Sequence, residues 1–143
     1  MNILRPRDLV AVAASLAALL AGVAAPAAEG GERQLSHSVM FTLKDRSPAG
    51  RDNFVGSCEK YLAGHRGTVS FAVGTIAEDV TEPASDREFD VALLVVFEDK
   101  GKLAEYLKSE RHAQFVAENR AKFAKVRVFD AYLPAPKPGT AAR

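Results

Sequence analysis

The sequence predicts an α+β domain in which a single sheet of four strands carries its helices on one face. Three observations lead there. Apolar residues alternate with polar ones at 37–43, 68–75 and 125–133, which is the two-residue period of a half-buried strand. Between and after them run stripes with helical spacing. The stretch 89–97 is apolar at nearly every position, so that strand needs cover on both faces.

The first strand places His37, Val39, Phe41 and Leu43 on one side, against Ser38, Met40 and Thr42 on the other. Ser47 then stands as an N-cap, with Pro48 at the first helical position. Phe54, Val55, Cys58, Tyr61 and Leu62 form one helical stripe, and Gly64 ends that helix at its C′ position. Thr68–Thr75 is read as a strand with Val69, Phe71 and Val73 on one side. Polar, Pro-containing residues 76–87 are read as a long loop, and Phe89–Phe97 as the doubly buried strand. Leu103, Tyr106 and Leu107 make a short helical stripe. Ser109 looks like the cap of a second helix carrying His112, Phe115, Val116, Asn119 and Phe123. Lys125–Leu133 closes the domain. The order β-α-β-β-α(α)-β is the split β-α-β, or ferredoxin-like, pattern. Helices can cover only one face of so small a sheet, so the other face is expected to pack on a second copy of the chain.

Residues 1–27 read as an export signal. Arg5 and Arg7 precede an Ala/Leu-rich run, and Ala25 and Ala27 are placed as an A-x-A cleavage site. An uncleaved anchor is the alternative, but a span needs roughly 20 strongly apolar residues and this run is too short and Ala-rich. Residues 28–35 read as a linker, 36–133 as the domain, and 134–143 as a disordered Pro-rich tail. Removing the signal, with Arg5, Arg7 and Asp8, leaves equal numbers of basic and acidic side chains. That balance, without a basic run, argues against nucleic acid or, after cleavage, membrane as a partner. The one cysteine, Cys58, excludes an intrachain disulfide and is expected to be buried and inert.

The chemistry resides in three polar rings on apolar faces. His37, Tyr106 and His112 each sit where local periodicity points inward, so they form either a satisfied network or a site. On an unbroken helix Tyr106 and His112 would lie about 120° apart. The break at Ser109 lets both turn toward the sheet and puts His112 in the first turn of a new helix. The positive end of the helix dipole there disfavours imidazolium, so His112 is a candidate general base. Tyr106 is a candidate hydrogen-bond donor to a substrate or a developing oxyanion. Val39, Phe41, Phe54 and Phe71 are expected to line a small apolar pocket. Asp130 is expected either to fix a histidine tautomer or to make a strand-end hydrogen bond, and His65, in a Gly-rich turn, to be solvated. No closely spaced ligand pair suggests a metal, and no nucleotide or hydrolase motif suggests a cofactor.

Ser36–Asp45, Val69–Gly74, Val95–Phe97 with Tyr106, Leu107 and His112, and Phe129-Asp130 together resemble the stress-responsive dimeric A/B-barrel (Dabb) family. The resemblance spans 36–133 and implies a ferredoxin-like protomer forming a dimeric α+β barrel. Most members have no assigned reaction. In the olivetolic acid cyclase branch, which is similar at His37, Tyr106 and His112, the last two act in an aldol-type ring closure without a cofactor. A histidine frequent at the start of the third strand is Val91 here. With the export signal, the resemblance leads to the expectation of an exported homodimer binding a small apolar or aromatic ligand, with a cyclase- or isomerase-like lyase as the alternative.

Overall fold

A computed structural model describes residues 32–134; the expected signal and the tail beyond Pro134 lie outside them. In β1 (Leu35–Leu43) the odd residues are buried and the even ones half-buried, as the alternation requires. In α1 (Pro48–Leu62) the Ser47 hydroxyl accepts the Gly50 N–H at 3.1 Å. The helix buries Phe54, Cys58, Tyr61 and Leu62. Gly64 leaves it with φ +69°, a conformation that a Cβ would strain. β2 (Thr68–Thr75), β3 (Val91–Phe97) and β4 (Phe123–Tyr132) complete an antiparallel sheet of order β2-β3-β1-β4. After β3 come α2 (Lys100–Lys108) and α3 (Glu110–Asn119), separated at Ser109. The Ser109 hydroxyl donates to Tyr106 O at 2.7 Å and accepts the His112 N–H at 3.2 Å, closing one helix and opening the next.

Several expectations are corrected. Val69 does not share a face with Phe71 and Val73: the β2–β3 register slips between Thr68 and Ser70, and the bulged Val69 is 49% exposed. β3 starts at Val91 rather than Phe89. Asp90 precedes it with a fully buried carboxylate, which accepts the Leu43 N–H at 2.9 Å and pairs with Arg46 and Arg51. Burial acts to raise the Asp90 pKa, but the Leu43 N–H and the two guanidiniums outweigh it and hold the group ionised. Phe123 belongs to β4, not to the last helix. Leu107 and Val116 face outward rather than completing their stripes.

The core between sheet and helices is closed at one end by four phenylalanines. Phe41 packs edge-on to Phe54 at 4.9 Å, and Phe115 and Phe123 complete the cluster. Each such pair adds on the order of 1 kcal/mol beyond its buried area. Fully buried Asn119 is satisfied by donating to Phe115 O and Ser57 Oγ and accepting from Lys122. Val91, Leu93, Val95 and Phe97 face this core. The opposite face of β3 is not covered by the described residues, and Leu94 there is 44% exposed.

Candidate functional site

At the other end of the core from the phenylalanines, four elements bring three imidazoles and a phenyl ring together around Tyr106. β1 supplies His37, whose ring centroid lies 6.0 Å from that of Tyr106. The first turn of α3 supplies His112 at 4.9 Å, and β3 supplies Phe97 at 5.1 Å. The turn after α1 supplies His65 at 4.9 Å. Tyr106 is 2% exposed, His37 is buried and His112 is half-buried. The helix break at Ser109 makes this convergence possible.

Asp130 stands directly opposite His37 in the β1–β4 register, and its Oδ1 lies 2.7 Å from His37 Nδ1. A carboxylate only accepts, so Nδ1 carries the hydrogen and the neutral ring keeps its lone pair on Nε2. Asp130 thus fixes a histidine tautomer. His65 is corrected from a solvated residue to a half-buried one, its Nε2 2.9 Å from Tyr61 O. A single polar residue in a Gly-rich turn carries no periodicity, and nothing in the sequence pointed it inward.

The electrostatics separate the two central groups. Burial, then the nearby His37 and His65, lowers the His112 pKa from its ordinary value, so the ring is neutral near pH 7. Burial, with Cys58 adding to it, raises the Tyr106 phenol above its ordinary value, so the hydroxyl stays protonated. One group is therefore ready to accept a proton and the other to donate a hydrogen bond. Among the described residues, neither the Tyr106 hydroxyl nor the His112 ring has a hydrogen-bond partner. The enclosed unsatisfied side-chain atoms found among the described residues are Thr68 Oγ1 and Arg127 Nε, at neither of these two groups. Cys58 is buried, its thiol pushed up to about 12 by burial and by Glu59, which makes it inert at neutral pH.

The expected apolar lining divides. Phe71 and Asp130 share one cross-strand row with His37 and Val95, and Val39 lies in the next row on that face. Phe41 and Phe54 belong to the phenylalanine cluster. Phe41 lies four residues along β1 from His37, roughly 13 Å away. A cavity of about 550 Å³ opens at that far end, where Leu43 and Phe54 are rimmed by Lys44, Asn53 and Lys122. No group of three or more His, Cys, Asp or Glu side chains among the described residues is arranged to hold a metal.

Comparison with known proteins identifies the fold and the family. A ferredoxin-like Dabb-family protein from Mesorhizobium loti is 23% identical over 73% of this chain and 100% of its own, with a TM-score of 0.60. The hydroxynitrile lyase of Passiflora edulis is 17% identical over 74% of this chain and 98% of its own, with a TM-score of 0.58. A dimeric ferredoxin-like protein of unknown function from Thermobifida fusca is 14% identical over 71% and 92%, with a TM-score of 0.59. These likenesses establish the fold of the protomer. No curated protein is significantly similar in sequence. The profile of the stress responsive A/B barrel domain matches residues 35–133, nearly the whole described chain, and the protein belongs to that family.

Proposed function

We propose that this protein is an exported homodimer that holds a small, neutral, apolar or aromatic molecule against Tyr106 and His112. One observation carries the reading. The Tyr106 hydroxyl and the His112 ring stand side by side at an otherwise apolar end of the core, and neither has a hydrogen-bond partner among the described residues. A network kept for stability would have closed on itself, as Asn119 does. A ligand bearing a carbonyl or hydroxyl would satisfy both groups, with the aromatic wall of Phe97 beside it.

The neutral imidazole and protonated phenol favour a second reading, a cofactor-independent lyase or cyclase. His112 would take the proton from a substrate hydroxyl, or from a carbon next to a carbonyl, while Tyr106 donates a hydrogen bond to the substrate oxygen. In cleavage of a hydroxynitrile the carbonyl forms as the carbon–carbon bond breaks. The electron pair then leaves with cyanide, which recovers the proton from His112. The lyase of Passiflora edulis, which shares the fold, makes this substrate class the first to try.

Mandelonitrile, an aromatic hydroxynitrile, tests both readings. A thermal shift with wild type that is lost in His112→Ala supports the site, and benzaldehyde release lost in the same variant supports the lyase. Binding without release leaves a binding protein, whereas equal shifts in both proteins exclude His112. The export reading rests on the sequence of residues 1–27. Intact mass of protein recovered from the envelope or medium should begin near Ala28, and retention of Met1 would favour an anchor.

A further inference from the structure

Of the three imidazoles around Tyr106, His112 acts in this reading and His37 is tied to Asp130; His65 has no role in it. It lies in the four-residue turn Gly64–Gly67, whose two glycines take φ +69° and +79°. These conformations fold the chain back so that the ring returns to the core instead of following α1 into solvent. The ring meets Tyr106 at an interplanar angle of 87°, an edge-to-face contact. Its Nε2 faces the Tyr61 carbonyl, which only accepts, so Nε2 carries the hydrogen and Nδ1 keeps the lone pair of the neutral ring.

The turn is held from several directions. Thr68 N–H donates to His65 O at 3.1 Å, and Glu98 N–H to Gly67 O at 2.9 Å. The Lys102 stem of α2 occupies the space that a Cβ on Gly67 would need. Arg111, the residue before His112, donates to Lys60 O and Ala63 O at the end of α1. That contact ties the helix before His65 to the helix that presents His112. These contacts fix the backbone that carries His65, and the ring itself is held by its hydrogen bond to Tyr61 O, which a swing away from Tyr106 would break. Around Tyr106, Phe97, His37 and His112 supply the other sides. Without His65 one side of a phenol ring that has no hydrogen bond of its own would be open.

We propose that His65 is a positioning residue of the site. Its ring, locked by the Tyr61 carbonyl, sets the direction of the Tyr106 hydroxyl relative to His112. This rests on the reading of Tyr106 and His112 as a ligand site, yet its primary test does not need a ligand. In the full chain, proton NMR of a tyrosine-labelled sample should show Tyr106 as a slowly flipping ring with separate signals for its two sides. In His65→Ala, and in the milder His65→Gln, those signals should merge as the ring is freed. His65→Phe, which restores an aromatic wall, should return them toward wild type. Mandelonitrile binding should weaken about tenfold in His65→Ala, because small misplacements of a contacting group are costly. Unchanged Tyr106 signals in either ring-deleting variant, with the fold verified by its melting midpoint, would overturn the proposal. If wild type does not bind mandelonitrile, that ligand is rejected, while the Tyr106 signals still decide the role of His65.

Discussion

At the level of single residues, the site joins imidazoles whose orientation or charge is fixed by different causes. Asp130 fixes His37 through a carboxylate, a carbonyl fixes His65, and burial keeps His112 neutral. The last has a consequence for stability. The folded His112 pKa lies below the unfolded value near 6.5, so below that value the unfolded chain binds the proton more readily. The contribution of neutral His112 is fully present above pH 6.5 and is lost as the pH falls through the lowered folded value. Urea midpoints measured from about pH 5 to 8 should therefore rise with pH, and His112→Phe should flatten that part of the profile. An unchanged slope in the variant would show that His112 does not titrate differently on folding. His112, Tyr106 and His37 were legible because each interrupts an apolar period. Asp90 was not, since its partners Leu43, Arg46 and Arg51 lie far from it in sequence and only the sheet brings them together.

At the level of elements, the break between α2 and α3 matters most. A continuous helix would have turned Tyr106 and His112 to different faces; Ser109 instead closes α2 with its hydroxyl and caps α3 with the same atom. Ser109→Ala should cost about 1 kcal/mol, the typical worth of such a cap. It should also disturb the site, because the N–H that it releases belongs to His112. Ser109→Asp keeps an acceptor for that N–H and should recover most of the stability seen in chemical denaturation. If Ala and Asp behave alike, the cap is not what holds the break. The break could be read from the sequence because a cap residue is a local signal. The β2 bulge could not, because Val69 continues the alternation of Phe71 and Val73 and only pairing with β3 reveals the slip. The extent of β3 escapes the sequence for a related reason: Phe89 makes the apolar run look longer than it is, but the buried Asp90 carboxylate ends the strand.

At the level of the whole molecule, the outer face of the sheet is the feature that a lone protomer does not account for. Ala72, Leu94, Ser38 and Phe129 form one row across all four strands, and Ser70, Val96, Ser36 and Ala131 form the next. Neither row contains a charge. The following row ends in Arg127, which is already paired with Asp86 of the β2–β3 loop. Leu94 and Phe129, 44% and 52% exposed, form the centre of this face. Such an uncharged, partly apolar sheet face is a surface for association. The apolar run of β3 reads in the sequence as a strand covered twice, and the described residues cover it once. A second copy placed sheet to sheet would supply the missing cover, burying at least about 1,200 Å² in total. The related Thermobifida fusca protein is described as dimeric, in line with this arrangement. Sedimentation equilibrium at micromolar concentration should give twice the monomer mass. Leu94→Lys should shift it toward monomer, because two unpaired ammonium groups would be buried in the contact. The Tyr106 site lies on the opposite face, so the monomeric variant should keep the mandelonitrile response of wild type if the site is built within one protomer. A wild type that sediments as monomer, or a Leu94→Lys variant that stays dimeric, would remove this face as the interface.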